Sequence, residues 1–246
     1  MSTVICRLLP FGIADGPYHM AADEALLESA AAGAAALRFY GWTEATLSLG
    51  YFQPERVRHA DARLAGLPWV RRPSGGGAII HHLEITYTLA LPPGPPWQTG
   101  KSWLCGMHGI IAAALGRLGV RATSHCPVAG EQPFVGFLCF LHFTAGDLMI
   151  GTAKVAGSAQ RRQGRALLQH GSLLLAASPQ APLLPGIREL TGRTLDMRET
   201  LGMLETEFAG QTGWALEPGD WTEAERRRAA ELAATKYGRD WWNRKR

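Results

Sequence analysis

No apolar run in the 246 residues approaches the roughly 20 that a spanning helix needs, and Met1 to Pro10 carries one basic residue and no secretory pattern. Neither a signal peptide nor a spanning helix is therefore expected, and the expected location is the cytoplasm. Cysteine is scarce: Cys6, Cys105, Cys126 and Cys139 lie far apart with no CxxC between them. That spacing suits neither a disulfide framework nor a zinc site, so free thiols and no metal are expected. The glycine triplet Gly75 to Gly77 lacks the GK[ST] of a P-loop and the GxGxxG of a dinucleotide site. Both nucleotide classes drop out. There is no internal repeat, and no low-complexity tract beyond an alanine-rich stretch near the N-terminus.

What is present is an ordinary globular composition, 46% hydrophobic with a net charge of +4. The length suits one large α+β unit, expected as a catalytic domain over 1–185 with a short helical extension over 186–246 packed on it. The charge excess sits in the tail. From Trp221 onward there are eight Lys/Arg against four Asp/Glu, and the remainder balances at seventeen of each. Such a tail is the solvated face of a terminal helix, or a patch for an acidic protein or nucleic acid.

Along the chain, VICRLLPFG reads as a strand, Asp15-Gly16-Pro17 as a turn, and the segment from Tyr18 as a helix. LRFYGW and TLSLGYF, separated by Thr43-Glu44-Ala45, predict a hairpin. A short helix is expected over 54–66, then a strand, the glycine turn and a second strand from Ala78. A proline-rich loop precedes a helix in KSWLCGMHGIIAAALGRLG, and the chain is irregular from there to Cys139 and Phe140. Gly151-Thr152 marks another hairpin, Ala166 to Leu175 reads as a buried strand, and helices follow. Isolated helices between hairpins predict a mixed, largely antiparallel sheet flanked by helices.

The chemistry concentrates in KVAGSAQRRQGRALLQHGSLLL, Lys154 to Leu175, with the Cys139-Phe140 pair fifteen residues ahead of the lysine. Gly157, Ser158 and Ala159 set small residues and exposed backbone after a lone cation, which suits a ligand that carries or develops charge. Gln169, His170 and Ser172 interrupt an apolar strand and must find partners or face a ligand. A dry wall beside a lysine suits an acyl chain. On residue type alone Cys139, among Phe and Leu, is inert core. It becomes a nucleophile only if a cation such as Lys154 folds back beside it. Lys154 has three plausible tasks: holding an acyl carbonyl, activating the thiol, or binding phosphate. Arg71 and Arg72 beside the glycine turn form a fork of the kind that grips phosphate or carboxylate, or are solvated strand ends. His81 and His170 are each structural histidines or site groups.

In order, HMAADEALL, LSLGYFQ, RRPSGGGAIIHHLEITYT, CF and KVAGSAQRRQGRALLQHGSLLL resemble the lipoate/biotin protein ligase superfamily, over about Tyr18 to Leu175. The resemblance implies that superfamily's class II synthetase-like catalytic fold. Within it, the CF pair, its distance to the lysine, His81-x-x-Glu84-x-Thr86-Tyr87 and LQHGS are similar to the cysteine-dependent branch, which moves octanoyl groups from acyl carrier protein to lipoyl domains without a cofactor. His82, Gly77 and the absence of a proline-serine pair between Phe140 and Asp147 depart from that branch. By the resemblance, Cys139 accepts the acyl group and Lys154 is its partner. The implied substrate-binding set is Arg71, Arg72, Ser74, Gly75, Gly76, Gly77, His81, Gly157, Ser158, Ala159, His170 and Gly171. Acceptors would be a glycine-cleavage H protein or a 2-oxoacid dehydrogenase acyltransferase subunit, with neither nucleic acid nor membrane as partner. The alternative is an ATP- and Mg-dependent lipoate or octanoate ligase in which Lys154 holds an acyl-adenylate. A third class is a non-catalytic module that binds a lipoyl domain or nucleic acid through its tail.

Overall fold

The computed structural model describes residues 3–59, 61–100, 102–126 and 137–246. Its strands are β1 (Ile5–Leu8), β2 (Gly12–Ala14), β3 (Ala36–Trp42), β4 (Thr46–Leu49), β5 (Trp69–Arg71), β6 (Ile79–His81), β7 (Glu84–Leu91), β8 (Thr123–Ser124), β9 (Leu148–Ile150), β10 (Ala153–Gln163), β11 (Ala166–Leu174) and β12 (Ala215–Pro218). The helices are α1 (Gly16–Ala31), α2 (Ala62–Ala65), α3 (Trp103–Arg117), α4 (Ile187–Thr191), α5 (Met197–Thr212), α6 (Glu223–Leu232) and α7 (Asp240–Asn243). Among the described residues one sheet has nine strands, in the order β12-β1-β3-β7-β11-β10-β9-β8 with β2 beside β3, and a second is β5-β4-β6. From β3 to β8 every pairing in the large sheet is antiparallel. The α+β class with a mixed, largely antiparallel sheet flanked by helices is therefore the one that forms.

β11 is buried along its whole length between β7 and β10. Its alternation sends Leu167 and Leu173 into a core with Met107, Ile110 and Ile111 of α3 and Leu204 and Phe208 of α5. Ala166 and Leu168 point the other way, onto Leu26, Leu27 and Ala30 of α1. Each fully buried leucine contributes about 1.5–3 kcal/mol relative to exposure. His170 and Ser172 share the α1 side by the same alternation.

Local signals held at several ends. Asp15 caps α1 by accepting from the Tyr18 amide, so the expected Asp15-Gly16-Pro17 turn is the cap and first helical turn. Gly151, at φ +59°, turns β9 into β10 as a hairpin, as its sequence predicts.

Other expectations fail because pairing is tertiary. LRFYGW and TLSLGYF are not a hairpin: β3 enters the large sheet and β4 becomes the centre of the small one. The strand expected from Ala78 breaks at His82-Leu83 into β6 and β7, one in each sheet. The helix expected over 54–66 divides into a 3-10 turn at Glu55–His59 and α2, which Asp61 restarts by capping Arg63. The irregular stretch expected before Cys139 falls largely on 127–136, outside the described residues. The segment expected as a helical extension, 186–246, also returns β12 to the large sheet, parallel to β1. No helix among the described residues is long and apolar enough to cross a membrane.

Candidate active site

The hairpin at Gly151 carries Lys154 back toward the short helical turn Cys139–Leu141. Lys154 is buried, and its Nζ lies 3.9 Å from Cys139 Sγ, 3.3 Å from the His142 carbonyl and 2.7 Å from Asp147 Oδ2. The ammonium has three hydrogens and meets a sulfur, a carbonyl and a carboxylate. Asp147 is itself fixed, accepting from the Thr144 amide at 2.8 Å and hydroxyl at 3.0 Å. Sequence reasoning missed Asp147, although it lies seven residues before the lysine across the same hairpin.

Glycines make this packing possible. A Cβ on Gly157 would stand 2.4 Å from Lys154 Cε and 2.8 Å from Nζ, so only a hydrogen leaves room for the lysine. A Cβ on Gly77 would stand 2.9 Å from the Cys139 amide nitrogen and 3.0 Å from its Cα. Gly76, at φ +92°, adopts the left-handed backbone that glycine tolerates and L side chains resist. The Cys139 amide donates to Ala78 O at 2.7 Å, which anchors the thiol to the far side of the glycine turn.

Between the two sheets runs a cavity whose empty volume, counted to its open mouth, is about 440 Å³. Cys139, half-buried, lines it together with Arg72, Gly75, Gly76, His81, Gly157, Ser158, Ala159, His170 and Gly171 from the expected set. Met20, Tyr40, Ile79, Thr86 and Ser172 line it as well. Ser172 and Thr86 stood in the stretches already noted; Met20, Tyr40 and Ile79 were not singled out, because an ordinary apolar or aromatic residue becomes a wall only when the second sheet closes over it.

Three expected binding residues stand elsewhere. Arg71 is not free to grip phosphate or carboxylate: it is wholly buried and donates to the carbonyls of Gly50, Gln53 and Asn243 at 3.0, 2.6 and 2.9 Å. It ties the C-terminal segment to the loop after β4. Ser74 backs the cavity, with Oγ 2.5 Å from His170 Nε2, and Gly77 lies behind Cys139. Arg72, although it lines the cavity, also spends its guanidinium on Ser48, Gly75 and Gly77 oxygens. Burial lowers it to about 10, with the nearby Cys139 acting in the opposite direction.

The polar residues in β11 all find partners. His170 Nδ1–H donates to Asp23 at 2.8 Å, which leaves Nε2 to accept from Ser74. Burial acts to raise Asp23, but Arg38, His170 and Thr88 outweigh it and hold the carboxyl down at about 2. His81 Nδ1–H donates to Glu84 at 2.6 Å, and the ring stacks on Trp42 with centroids 3.9 Å apart. Glu84 also accepts from Thr86 and Ser172. Gln169 donates to Tyr87 OH and the Trp103 carbonyl. On the α3 side Ser158 joins His108 and Tyr87, each at 2.7 Å.

His81, His108 and His19, whose ring packs against Tyr40 and Trp42 of β3, are held neutral. Burial, with Arg38 adding to it, lowers His19 from 6.5 to about 3, and burial also lowers His81 and His108. Their folded pKa values lie below the unfolded one, so the unfolded chain binds more protons in between. Their stabilising effect is complete above about pH 6.5 and is lost as pH falls toward the folded values, by up to about 1.4 kcal/mol per pH unit for each titrating ring. The urea midpoint is therefore expected to drop steadily from pH 7 to 4.5, and a flat profile would contradict the neutral assignment.

Among the described residues no group of three His, Cys, Asp or Glu side chains is arranged to hold a metal ion. A thiol paired with a buried ammonium, at the edge of an interlayer slot in an α+β sheet, defines a candidate acyl-transfer site. The chain belongs to the lipoyl protein ligase A/B catalytic-domain family, whose profile matches residues 15–182. Octanoyltransferase LipM of Symbiobacterium thermophilum is 34% identical over 96% of this chain and 97% of its own length. Octanoyltransferase LipM of Bacillus subtilis is 31% identical over 98% of each. Among solved structures, lipoate-protein ligase A bound with ATP superposes with a TM-score of 0.79 at 22% identity, covering 98% of this chain and 99% of that one. A bipartite lipoate protein ligase from Thermoplasma acidophilum, solved in a study with its E2 lipoyl domain, gives 0.73 at 19%, covering 99% and 97%. At those identities the likeness to the ligases is one of fold.

Proposed function

We propose that the octanoyl transfer to which this chain's full-length relatives point runs through a thioester on Cys139, taking octanoyl from acyl carrier protein to a lipoyl-domain lysine, in the cytoplasm and without ATP. The 3.9 Å approach of Lys154 Nζ to Cys139 Sγ, at the edge of the slot, carries this reading. The Cys139 thiolate attacks the carrier thioester, a new carbon–sulfur bond forms, and the carrier's thiolate leaves with the proton the cysteine gave up. The lipoyl-domain lysine, as free amine, then attacks the enzyme thioester. An amide forms, the carbon–sulfur bond breaks, and the proton the amine gives up returns to the departing Cys139 sulfur. In both steps negative charge passes between sulfur and the carbonyl oxygen, and the Lys154 ammonium stands where it stabilises either. Asp147 keeps that ammonium pointed. The Gly75 and Gly76 amides, which meet no acceptor among the described residues, are further donors for the oxyanion. His81, His170 and Arg72 shape the wall of the slot while bonded to the protein.

Two incubations test the reading. Octanoyl–acyl carrier protein alone is expected to leave an acyl adduct on the protein, seen by mass spectrometry, which an apo lipoyl domain then removes. Modification that instead requires free octanoate and ATP would replace the transferase by a ligase. A third experiment probes the geometry. Gly157→Ala pushes Lys154 off its position, and a displacement of about 1 Å costs on the order of 10²-fold in rate, with some fall in melting temperature because the buried Lys154–Asp147 pair is disturbed.

A further inference from the structure

Of the tail's eight basic residues, Arg227 and Arg239 have no carboxylate partner among the described residues, Arg239 donating to the Ala234 carbonyl, and the other six divide into two populations. Arg226, Arg228, Lys236 and Arg244 are paired with Asp220, Glu28 and Glu231, Glu24, and Asp240 respectively. Lys245 and Arg246 have no carboxylate partner among the described residues. Both lie on aromatic rings of the loop after β4: Lys245 Nζ is 3.7 Å from the Tyr51 ring centroid, and the Arg246 guanidinium is 5.7 Å from that of Phe52. The Arg246 carbonyl accepts from the Glu55 amide at 2.9 Å, which holds the segment against this loop.

The same loop is the rim of the slot. The Tyr51 amide donates to Ser74 O at 2.8 Å, and Phe52 approaches to 3.9 Å of where a Gly75 Cβ would stand. Phe52 is 72% exposed, an apolar ring left in water beside the cavity that Gly75 lines. From the opposite wall comes Arg161. It pairs with Leu168 as Ala159 pairs with His170, so it shares the cavity face of β10, and it reaches to 6.0 Å of the Tyr51 ring. It too has no carboxylate partner among the described residues.

Resting on the transfer reaction proposed above, we propose that Phe52, Arg161, Lys245 and Arg246 form the docking rim for the acyl donor, an acidic carrier domain that presents its thioester on a phosphodiester-linked arm. Charge complementarity selects an acidic face, and three cations without a carboxylate partner around one exposed ring at the slot's mouth, two of them bonded to the Tyr51 hydroxyl, suit an anionic phosphodiester that arrives as the thioester enters. The acceptor's bare lysine brings no such anion. Cations of this kind act mainly on the rate of encounter, so their effect is confined to the carrier-borne substrate and weakens with salt.

The test compares the two half-reactions in Arg161→Gln and in the Lys245→Gln/Arg246→Gln double variant. The first alters a strand position that makes no C-terminal contact, so it stands if the second disturbs the tail. Expected is a loss of roughly tenfold or more in the rate of Cys139 acylation by octanoyl–acyl carrier protein, with a flatter salt dependence. Acylation by carrier-free octanoyl-N-acetylcysteamine, and transfer from preloaded enzyme to an apo lipoyl domain, are expected to keep their rates. Equal slowing with both donors would overturn the rim, and so would loss confined to the lipoyl-domain step. Oligonucleotide binding that disappears in the variants while both half-reactions persist would assign the surface to nucleic acid. Wild-type protein that forms no thioester from either donor removes the transfer chemistry itself, a failure separate from that of the surface.

Discussion

Cys139→Ser is expected to abolish octanoyl transfer, by at least about 10³-fold, and to leave no acyl adduct on the protein. The sulfur is half-buried at the edge of the slot, and its amide stays bonded to Ala78 O whatever the side chain, so the turn survives the exchange. A serine hydroxyl in the same place has almost no alkoxide at neutral pH and lacks a base to make any, since the charged groups nearest it are the Lys154 ammonium and the Arg72 guanidinium. The other three cysteines serve as controls. Cys6 is wholly buried and burial pushes its thiol up to about 12, so it is packing, while Cys105 and Cys126 are exposed. Serine at each of those three positions is expected to transfer at the wild-type rate. An acyl adduct that persists in Cys139→Ser would sink the covalent route.

Lys154→Gln is expected to lower the rate on the order of 10²- to 10³-fold, the usual cost of losing one donor to a developing oxyanion. It also has a structural consequence. Lys154 and Asp147 side chains are 3% and 5% exposed, and removing the cation leaves a buried carboxylate uncompensated, a loss of about 3–5 kcal/mol when one partner of such a pair goes. The Lys154→Gln/Asp147→Asn double variant separates the two effects, because an amide pair restores the melting temperature without restoring charge. Stability that returns in the double variant while activity does not would show the ammonium acting in the reaction. Full activity in Lys154→Gln would end its catalytic role.

Some of the site was readable from short range. The return of Lys154 toward Cys139 was signalled by a tight turn at Gly151-Thr152 between two apolar runs, encoded by adjacent residues, although the bond of the Cys139 amide to Ala78 O that fixes the thiol is tertiary. The buried strand was visible for the same reason: an apolar run interrupted by Gln169, His170 and Ser172 obliges those groups to be bonded, and all three are. Arg71 was misread because nothing near it in sequence shows that the carbonyl of Asn243, 172 residues later, would claim its guanidinium. The hairpin expected from LRFYGW and TLSLGYF failed likewise, since two β-rich runs joined by three residues are compatible with one sheet or with two.

By itself, then, the order of residues determined the α+β class, the capped helices, the hairpin that turns the lysine back and the small residues that leave it room. These depend on backbone preference and on side-chain alternation, which act over a few positions. Tertiary structure alone decided that Asp147 would hold the ammonium, that Asp23 would orient His170, that β12 would rejoin the sheet, and which tail cations would be neutralised and which left open at the mouth. Each of those outcomes is a contact made when separate layers close on one another, where burial makes an unpaired charge or polar group costly and so selects its partner.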